Sequence, residues 1–303
     1  MDFSTLLAQA QVNSTQELVD KIARTPLSQI VALVGALTII RVILGLTILK
    51  PVPVHYQSAY HGIGKFVNEL CDAIIYAGVF VFLVIRPFVL QTFVIPSGSM
   101  VQTLLVGDMI IANKWVYRNS DPKHGDIIVF KPPKQALKEG HEDDDFIKRC
   151  IGLPGDTIEI RNNVLYRNGQ PVNEPHKAFT KRDPMRPDYE VYVNLTDAEL
   201  SALTPIDFKL VEFQGKVWPL NKRGELVNQY GLTAPEYELT DLQVMKQMWD
   251  LPLAKVPQGY YLMMGDNRYG SFDSRGWGLV PRKSIIGKAE AIFFPVGRMS
   301  RTE

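Results

Sequence analysis

"DTIEIRNNVLYRNGQ", residues 156–170, decides the architecture. Two short strand-like runs, "DTIEI" (156–160) and "VLYR" (164–167), lie close together, and Asn168-Gly169 follows the second. Asn-Gly is the pair that tolerates positive φ at both central positions of a two-residue turn, so it predicts a tight hairpin. "RNNV" at 161–164 is a weaker turn candidate of the same kind. Chains that fold back this quickly build antiparallel sheets, because a parallel pair needs a crossover of a dozen residues or more. Working outward, "DMIIAN" (108–113), "GDIIVF" (125–130), "FIKRCIG" (146–152), "YYLMMGD" (260–266) and "IIGKAEAIFF" (285–294) have the same strand character, with turn residues between them. The prediction is a mostly β, antiparallel domain over residues 93–303. Residues 171–257 interrupt it with a segment rich in proline and charge, "EPHKAFTKRDPMRPDYE" at 174–190, then a helical pattern in "LTDLQVMKQMWDL" at 239–251. They are expected to form an insertion or subdomain.

The first ninety residues differ. Residues 30–49, "IVALVGALTIIRVILGLTIL", match the ~20 positions a bilayer core requires. Arg41 interrupts them, at a cost of about 2.5–3.5 kcal/mol if it stays at mid-bilayer. It can lean towards the Lys50 end, and a surface-lying helix is the alternative. Residues 73–90, "AIIYAGVFVFLVIRPFVL", are a second apolar run. The expected order is a polar segment 1–29, a membrane helix 30–49, a loop 50–72, a membrane helix 73–92 and the β domain. Neither run has the basic opening of a cleaved signal, and Lys21, Arg24, Lys50 and Lys65 leave the charge rule for orientation undecided.

With 33 basic and 32 acidic residues, nothing marks a nucleic-acid binder. Cys71 and Cys150 fall in such different segments that no disulfide is expected, and no Cys or His spacing suggests a metal site.

Where the second apolar run gives way to strands stands "IPSGSM", residues 95–100. Pro, Ser and Gly there form either a simple turn or a nucleophilic loop. A serine nucleophile needs a base. Of His55, His61, His124, His141 and His176, none sits in a triad motif. Lys148 is the better candidate. Strand alternation in "FIKRCIG" places it between Phe146 and Cys150 on one face, where desolvation and a neighbouring cation such as Arg149 would lower its pKa.

"FVIPSGSMVQTLLVGD", "GDIIVF", "FIKRCIGLPGDTIEI" and "GDNRYGSFDSRGWGLVP" together resemble, in order, the sequence boxes of the bacterial type I signal peptidases, over roughly residues 86–168 and 258–294. The resemblance implies a membrane-anchored serine endopeptidase with a Ser/Lys dyad. It would remove signal peptides from exported preproteins after a small-x-small motif, without metal or cofactor. Ser99 would be the nucleophile, Lys148 the general base and Ser97 an oxyanion donor. Ser271 would orient the lysine, and Asp273 and Arg275 would form a supporting ion pair on one strand face. Ile95, Met100, Leu104, Phe146 and Ile147 would line the substrate pocket. The resemblance further implies a multi-pass protein of the bacterial inner membrane with its β domain on the extracytoplasmic side. Its partners would be signal peptides, membrane lipid and the secretion translocon. Two departures stand out: Gln102 replaces a common proline, and Tyr269-Gly270 replaces a common Asp-Asn. Competing readings are a self-cleaving repressor-type Ser/Lys protease and a membrane-tethered β-domain adaptor without activity.

Overall fold

The structure is a computed structural model that describes residues 27–48, 59–82, 89–137, 144–185, 191–213, 215–221 and 249–302. The expected helix at 239–251 lies almost wholly outside the described residues. The chain divides into two compact units, Met1–Thr92 and Phe93–Glu303.

The first unit contains α1 (Leu27–Thr47) and α2 (Ala59–Phe80). Among the described residues one helix, over Ser28–Thr47, is long and apolar enough to cross a membrane. Its Thr38 and Thr47 hydroxyls donate back to Val34 O and Ile43 O, each at 2.7 Å. That satisfies them without water, as an apolar environment demands. Arg41 does not turn towards Lys50. Its Nη1 lies 2.6 Å from Asp72 Oδ1, and its Nε donates to Asn68 Oδ1 at 3.4 Å. Both partners are on α2, so the charge that interrupts the apolar run is matched by the next helix.

The described residues place the second helix differently from the expected span. α2 begins at Ala59, inside the expected loop 50–72, and carries His61, Lys65, Glu69 and Asp72. Its α-helical part ends at Phe80, residues 81–82 continue it as a π-helical turn, residues 83–88 lie outside the described set, and the chain is a strand by Leu90. A continuous membrane helix over 73–92 is therefore not found among the described residues.

Replacing Asp72 with Leu should destabilise the helix pair, because it strands the Arg41 guanidinium among apolar side chains. The double variant Arg41→Leu/Asp72→Leu should recover it. Thermal unfolding of the detergent-solubilised protein checks this, and a single variant as stable as the double one would refute it.

The second unit is built from two antiparallel sheets. The larger has eight strands in the order β1 (Leu90–Val94), β2 (Met109–Asn113), β14 (Ile285–Phe294), β3 (Ile127–Phe130), β4 (Phe146–Gly152), β12 (Tyr260–Met264) and β13 (Val280–Pro281), with β15 (Ser300–Arg301) also paired to β14. The smaller has five strands in the order β11 (Lys216–Asn221), β10 (Phe208–Phe213), β5 (Ile158–Arg161), β6 (Val164–Arg167) and β7 (Gln170–Pro171). A separate pair joins β8 (Thr180–Arg182) to β9 (Tyr192–Asn194), and α3 (Asp197–Ala202) follows.

The mostly β antiparallel reading stands. β4, β6 and β14 match the expected segments residue for residue. Asn168 and Gly169 take φ 52° and 77° at the β6–β7 turn, as the hairpin signal requires. The weaker candidate proves equally real, with Asn162 and Asn163 at φ 48° and 66° joining β5 to β6. Among the described residues of 171–257, β10 pairs with β5 and β11 with β10, so both extend the five-stranded sheet.

β3 is buried on both faces, which explains its unbroken apolar run. Ile127 and Val129 join Ile95, Met100, Leu104, Ile110, Ala289 and Ile292 on one side. Ile128 and Phe130 join Tyr117, Cys150, Met263 and Trp277 on the other. Cys71 and Cys150 are both buried free thiols, in different units.

Candidate active site

After β1 the chain makes one tight turn, Gly98–Met100, before entering β2. Met100 and Leu104 are only 1% and 0% exposed, and their burial under the larger sheet anchors that turn. Ser99 is held between these anchors and Ile95 (3% exposed). Two further bonds fix its backbone. Asn267 N donates to Ser99 O at 3.1 Å, and Asn267 Nδ2 donates to Gly98 O, also at 3.1 Å. Ser97 precedes the turn in extended conformation (φ −144°, ψ 158°) with no side-chain hydrogen bond capping it.

β4 brings Lys148 to this turn. Its Nζ donates to Ser99 Oγ at 2.7 Å and to Ile147 O at 3.1 Å. The side-chain environment is apolar as the alternation predicted: Phe146 and Cys150 pack into the cluster around Phe130 and Trp277. The ammonium lies 5.5 Å from the Phe146 ring centroid. Lys148 is 5% exposed. Burial drives its pKa down from 10.5 to about 8 against the pull of Asp273 and Asp266, and Arg275 pushes the same way as burial. The sequence suggested Arg149 as the neighbouring cation. Arg149 is instead engaged in a bidentate pair with Asp266, Nε to Oδ1 at 2.8 Å and Nη2 to Oδ2 at 2.7 Å. Thr103 donates to the same carboxylate at 2.6 Å. That buried group ties β4, the loop after β12 and the residues following Met100 together.

Asp273 and Arg275 do pair, but not as neighbours on a strand. Asp273 caps the one-turn helix α4 (Ser274–Trp277), and Arg275 lies within that turn. Arg275 Nε and Nη2 donate to the Asp273 carboxylate at 2.8 and 2.7 Å, and Gly265 N adds a bond at 2.9 Å. Burial pushes the Asp273 carboxyl up, but the Arg275 charge and these bonds outweigh it and hold it below the usual carboxylate range.

Ser271 is brought to the site by close approach. A Cβ on Gly265 would collide with Ser271 Oγ and lie 2.5 Å from Ser99 O, so only glycine lets these segments meet. The Ser271 hydroxyl is buried and unpartnered, and the contacts of Lys148 Nζ are to Ser99 and Ile147.

Ile95, Met100 and Leu104 share one cluster, with half-buried Phe93 and Ile147 packed against it. Phe146 belongs to the opposite cluster and stacks edge-on against Phe130 at 6.4 Å. The residues expected to line a pocket are therefore split between two core clusters, with Phe93 and Ile147 half-buried beside Ile95, Met100 and Leu104. His124 Nδ1 lies 2.9 Å from Ile151 O, and His176 lies near Glu174 and Asp266. His55 and His141 lie outside the described residues, and His61 is on α2.

The two departures have structural roles. Gln102 Nε2 donates to Asn194 Oδ1 at 2.8 Å, tying the Ser99 turn to β9. Tyr269 reaches away, its hydroxyl donating to Thr204 O at 3.0 Å, while a Cβ at Gly270 would collide with the Asn267 amide. Asn267 and Asp266 were missed in the sequence. The signal was present in the "GDNR" run, but nothing local says which loop those side chains will clamp.

Most of the chain is similar to known proteins. The family model described as "Signal peptidase, peptidase S26" matches residues 67–294. The protein of Aquifex aeolicus named signal peptidase I is 39% identical over 222 residues, covering 70% of this chain and 78% of its own. Signal peptidase I of Buchnera aphidicola subsp. Schizaphis graminum is 34% identical over 238 residues, 71% of each chain. Signal peptidase I P of Bacillus subtilis subsp. natto is 32% identical over 228 residues, 75% of this chain and 89% of its own.

Proposed function

Since the chain belongs to the peptidase S26 family of signal peptidases and is a serine endopeptidase that cleaves signal peptides, we propose that Ser99 and Lys148 are the dyad that carries the reaction. The observation that carries this reading is the 2.7 Å contact between Lys148 Nζ and Ser99 Oγ, made by an amine with a depressed pKa. The neutral amine takes the Ser99 proton as the oxygen attacks the scissile carbonyl, then returns it to the departing amine. The Ser97 hydroxyl and the Ser99 backbone N–H are suited to the developing oxyanion. Ser271 supplies a buried hydroxyl with spare hydrogen-bonding capacity close to Ser99, which suits an orienting role towards the lysine. Asp273 and Arg275 hold Gly265 and the Ser271 loop in place. No step calls for a metal or cofactor.

The same reading makes the protein membrane-anchored, with the peptidase unit on the extracytoplasmic side of a bacterial inner membrane. Lipid, signal peptides and the secretion translocon are then its partners. The apolar helix Ser28–Thr47 supports anchoring. Anchoring holds the nucleophile at the depth where a membrane-embedded signal peptide presents its cleavage point.

The acyl side of the substrate would rest against Ile147 and Phe93 over the floor of Ile95, Met100 and Leu104. A floor so fully buried leaves room only for small side chains, which favours a small-x-small motif. Incubating the purified protein with a preprotein carrying Ala-x-Ala, then sequencing the product N-terminus, tests the function. Repeating this with Ile147→Ala and substrates enlarged at the first and third positions before the cut tests the pocket. The variant should accept larger residues by about tenfold relative to wild type, the order a methylene-scale change brings. Unchanged selectivity would make Ile147 ordinary core.

A further inference from the structure

Gly98, beside the proposed nucleophile, is buried, and its Cα face is covered by a side chain from a different part of the molecule. A Cβ built there would collide with Cζ and Cε2 of Tyr192 and come within 2.6 Å of its Oη. The phenol ring therefore rests directly on the Ser97–Ser99 turn. It is held from two flanks. Gln102 Nε2 bonds Asn194 at 2.8 Å on one side. On the other, Thr180 N, one strand over in the β8–β9 register, donates to Asn267 Oδ1 at 3.4 Å, and the Asn267 amide donates to Gly98 O at 3.1 Å. Ala178 N adds a bond to Asp266 O at 2.8 Å. Tyr192 is thus a half-buried aromatic wall built against the turn from the segment between the family's sequence boxes.

This wall is not part of the molecule's interior. None of the four buried clusters includes Tyr192, and the cluster of Ile95, Met100 and Leu104 has Phe93 and Ile147 as its half-buried flank. A peptide attacked at Ser99 runs through the site in one direction. If its acyl side lies over Phe93 and Ile147, the residues after the cut leave across the remaining side of the turn, where Gly98 and Tyr192 stand. We propose that Tyr192 is a specificity-determining residue for the leaving side, its ring limiting the bulk of the first residue after the scissile bond. The proposal rests on the reading of Ser99 as nucleophile.

The test is a set of preproteins identical except for Ala, Leu or Trp at that first residue, cleaved by the full-length protein in detergent micelles. In Tyr192→Ala the ratio of kcat/KM for Trp over Ala should rise about tenfold, the scale on which opening a wall changes a pocket. Preferences before the cut should stay as in wild type. Tyr192→Phe, which keeps the ring, should keep the wild-type ratio. Gly98→Ala, whose new methyl must push the ring aside, should also change the ratio. Tyr192→Leu provides the same comparison should the alanine variant fold poorly. A uniform fall across all three substrates, with the ratio unchanged in Tyr192→Ala and Tyr192→Leu, would overturn the proposal and leave the residue a purely structural contact. Ser99→Ala run in parallel separates the two readings. If it still cleaves, the nucleophile is misassigned and this proposal falls with it. If it is inert while the ratios stay flat, only the role of Tyr192 fails.

Discussion

Lys148→Met should lower kcat/KM for preprotein cleavage by roughly 10⁴–10⁶-fold, and Ser99→Ala by a similar amount. The side chains act as one unit: without the amine, the Ser99 hydroxyl has no acceptor for its proton, and without the hydroxyl the amine has nothing to activate. The double variant should therefore be little worse than either single one. A structural role predicts something different for Lys148. Its pKa falls from 10.5 to about 8 because burial disfavours the cation, a bias corresponding to about 3 kcal/mol. The sign follows from linkage. Between these two values the unfolded chain takes up a proton that the folded chain refuses, so stability declines as pH falls from 10.5 to 8 and stays reduced below. Methionine removes that penalty at nearly the same length. Lys148→Met should thus be inactive yet at least as stable as wild type, measured by preprotein cleavage and thermal unfolding on one preparation. Retention of near-wild-type turnover would end the dyad assignment.

The second large effect is on pH. The proposed base works only when neutral, so kcat/KM should rise with pH through a value near the about 8 to which burial brings Lys148. Below that value the neutral fraction falls about tenfold per pH unit, which makes the loss at pH 6 about a hundredfold. Substituting Arg275 removes the cation that reinforces desolvation, and the midpoint should move upward, since Asp273 would then act on the lysine unopposed. A rising limb centred near 10 in the wild type would mean an exposed amine and would refute the burial argument. The profile should be taken with one short peptide substrate and with a full preprotein, so that titration of the substrate is separated from titration of the enzyme.

Much of this was legible in the chain, for physical reasons that can be named. Strand segments such as "FIKRCIG" and "IIGKAEAIFF" were readable because period-2 burial and β-branched composition agree there. The proposed dyad could be named from the sequence because Ser99 and Lys148 lie in motifs whose order is distinctive, and the fold brings the two side chains within 2.7 Å. The rest is long-range. Asp266 clamps Arg149, and Asn267 clamps the Ser99 turn, through contacts that no local pattern encodes. Asp273 and Arg275 were correctly paired for the wrong reason: a capped helical turn places them together, where strand alternation had been expected. The split of the pocket residues also escaped the sequence. Phe146 and Ile147 are adjacent, and adjacency on a strand sends them to opposite faces. The contributions of β10 and β11 were missed because proline and charge upstream suggested an excursion, whereas sheet pairing with β5 was decided by residues some fifty positions away.

The Arg41–Asp72 pair has an electrical consequence. With α1 across an energised bilayer, an unmatched arginine at mid-span would feel the transmembrane voltage, at about 2.3 kcal/mol per elementary charge per 100 mV for a full crossing. At 2.6 Å from Asp72, the two opposite charges form a short dipole with no net charge to be driven. A transmembrane voltage would then exert almost no net force on this pair of charges. The depth of α1 in such a bilayer would hold steady as the voltage rises and falls.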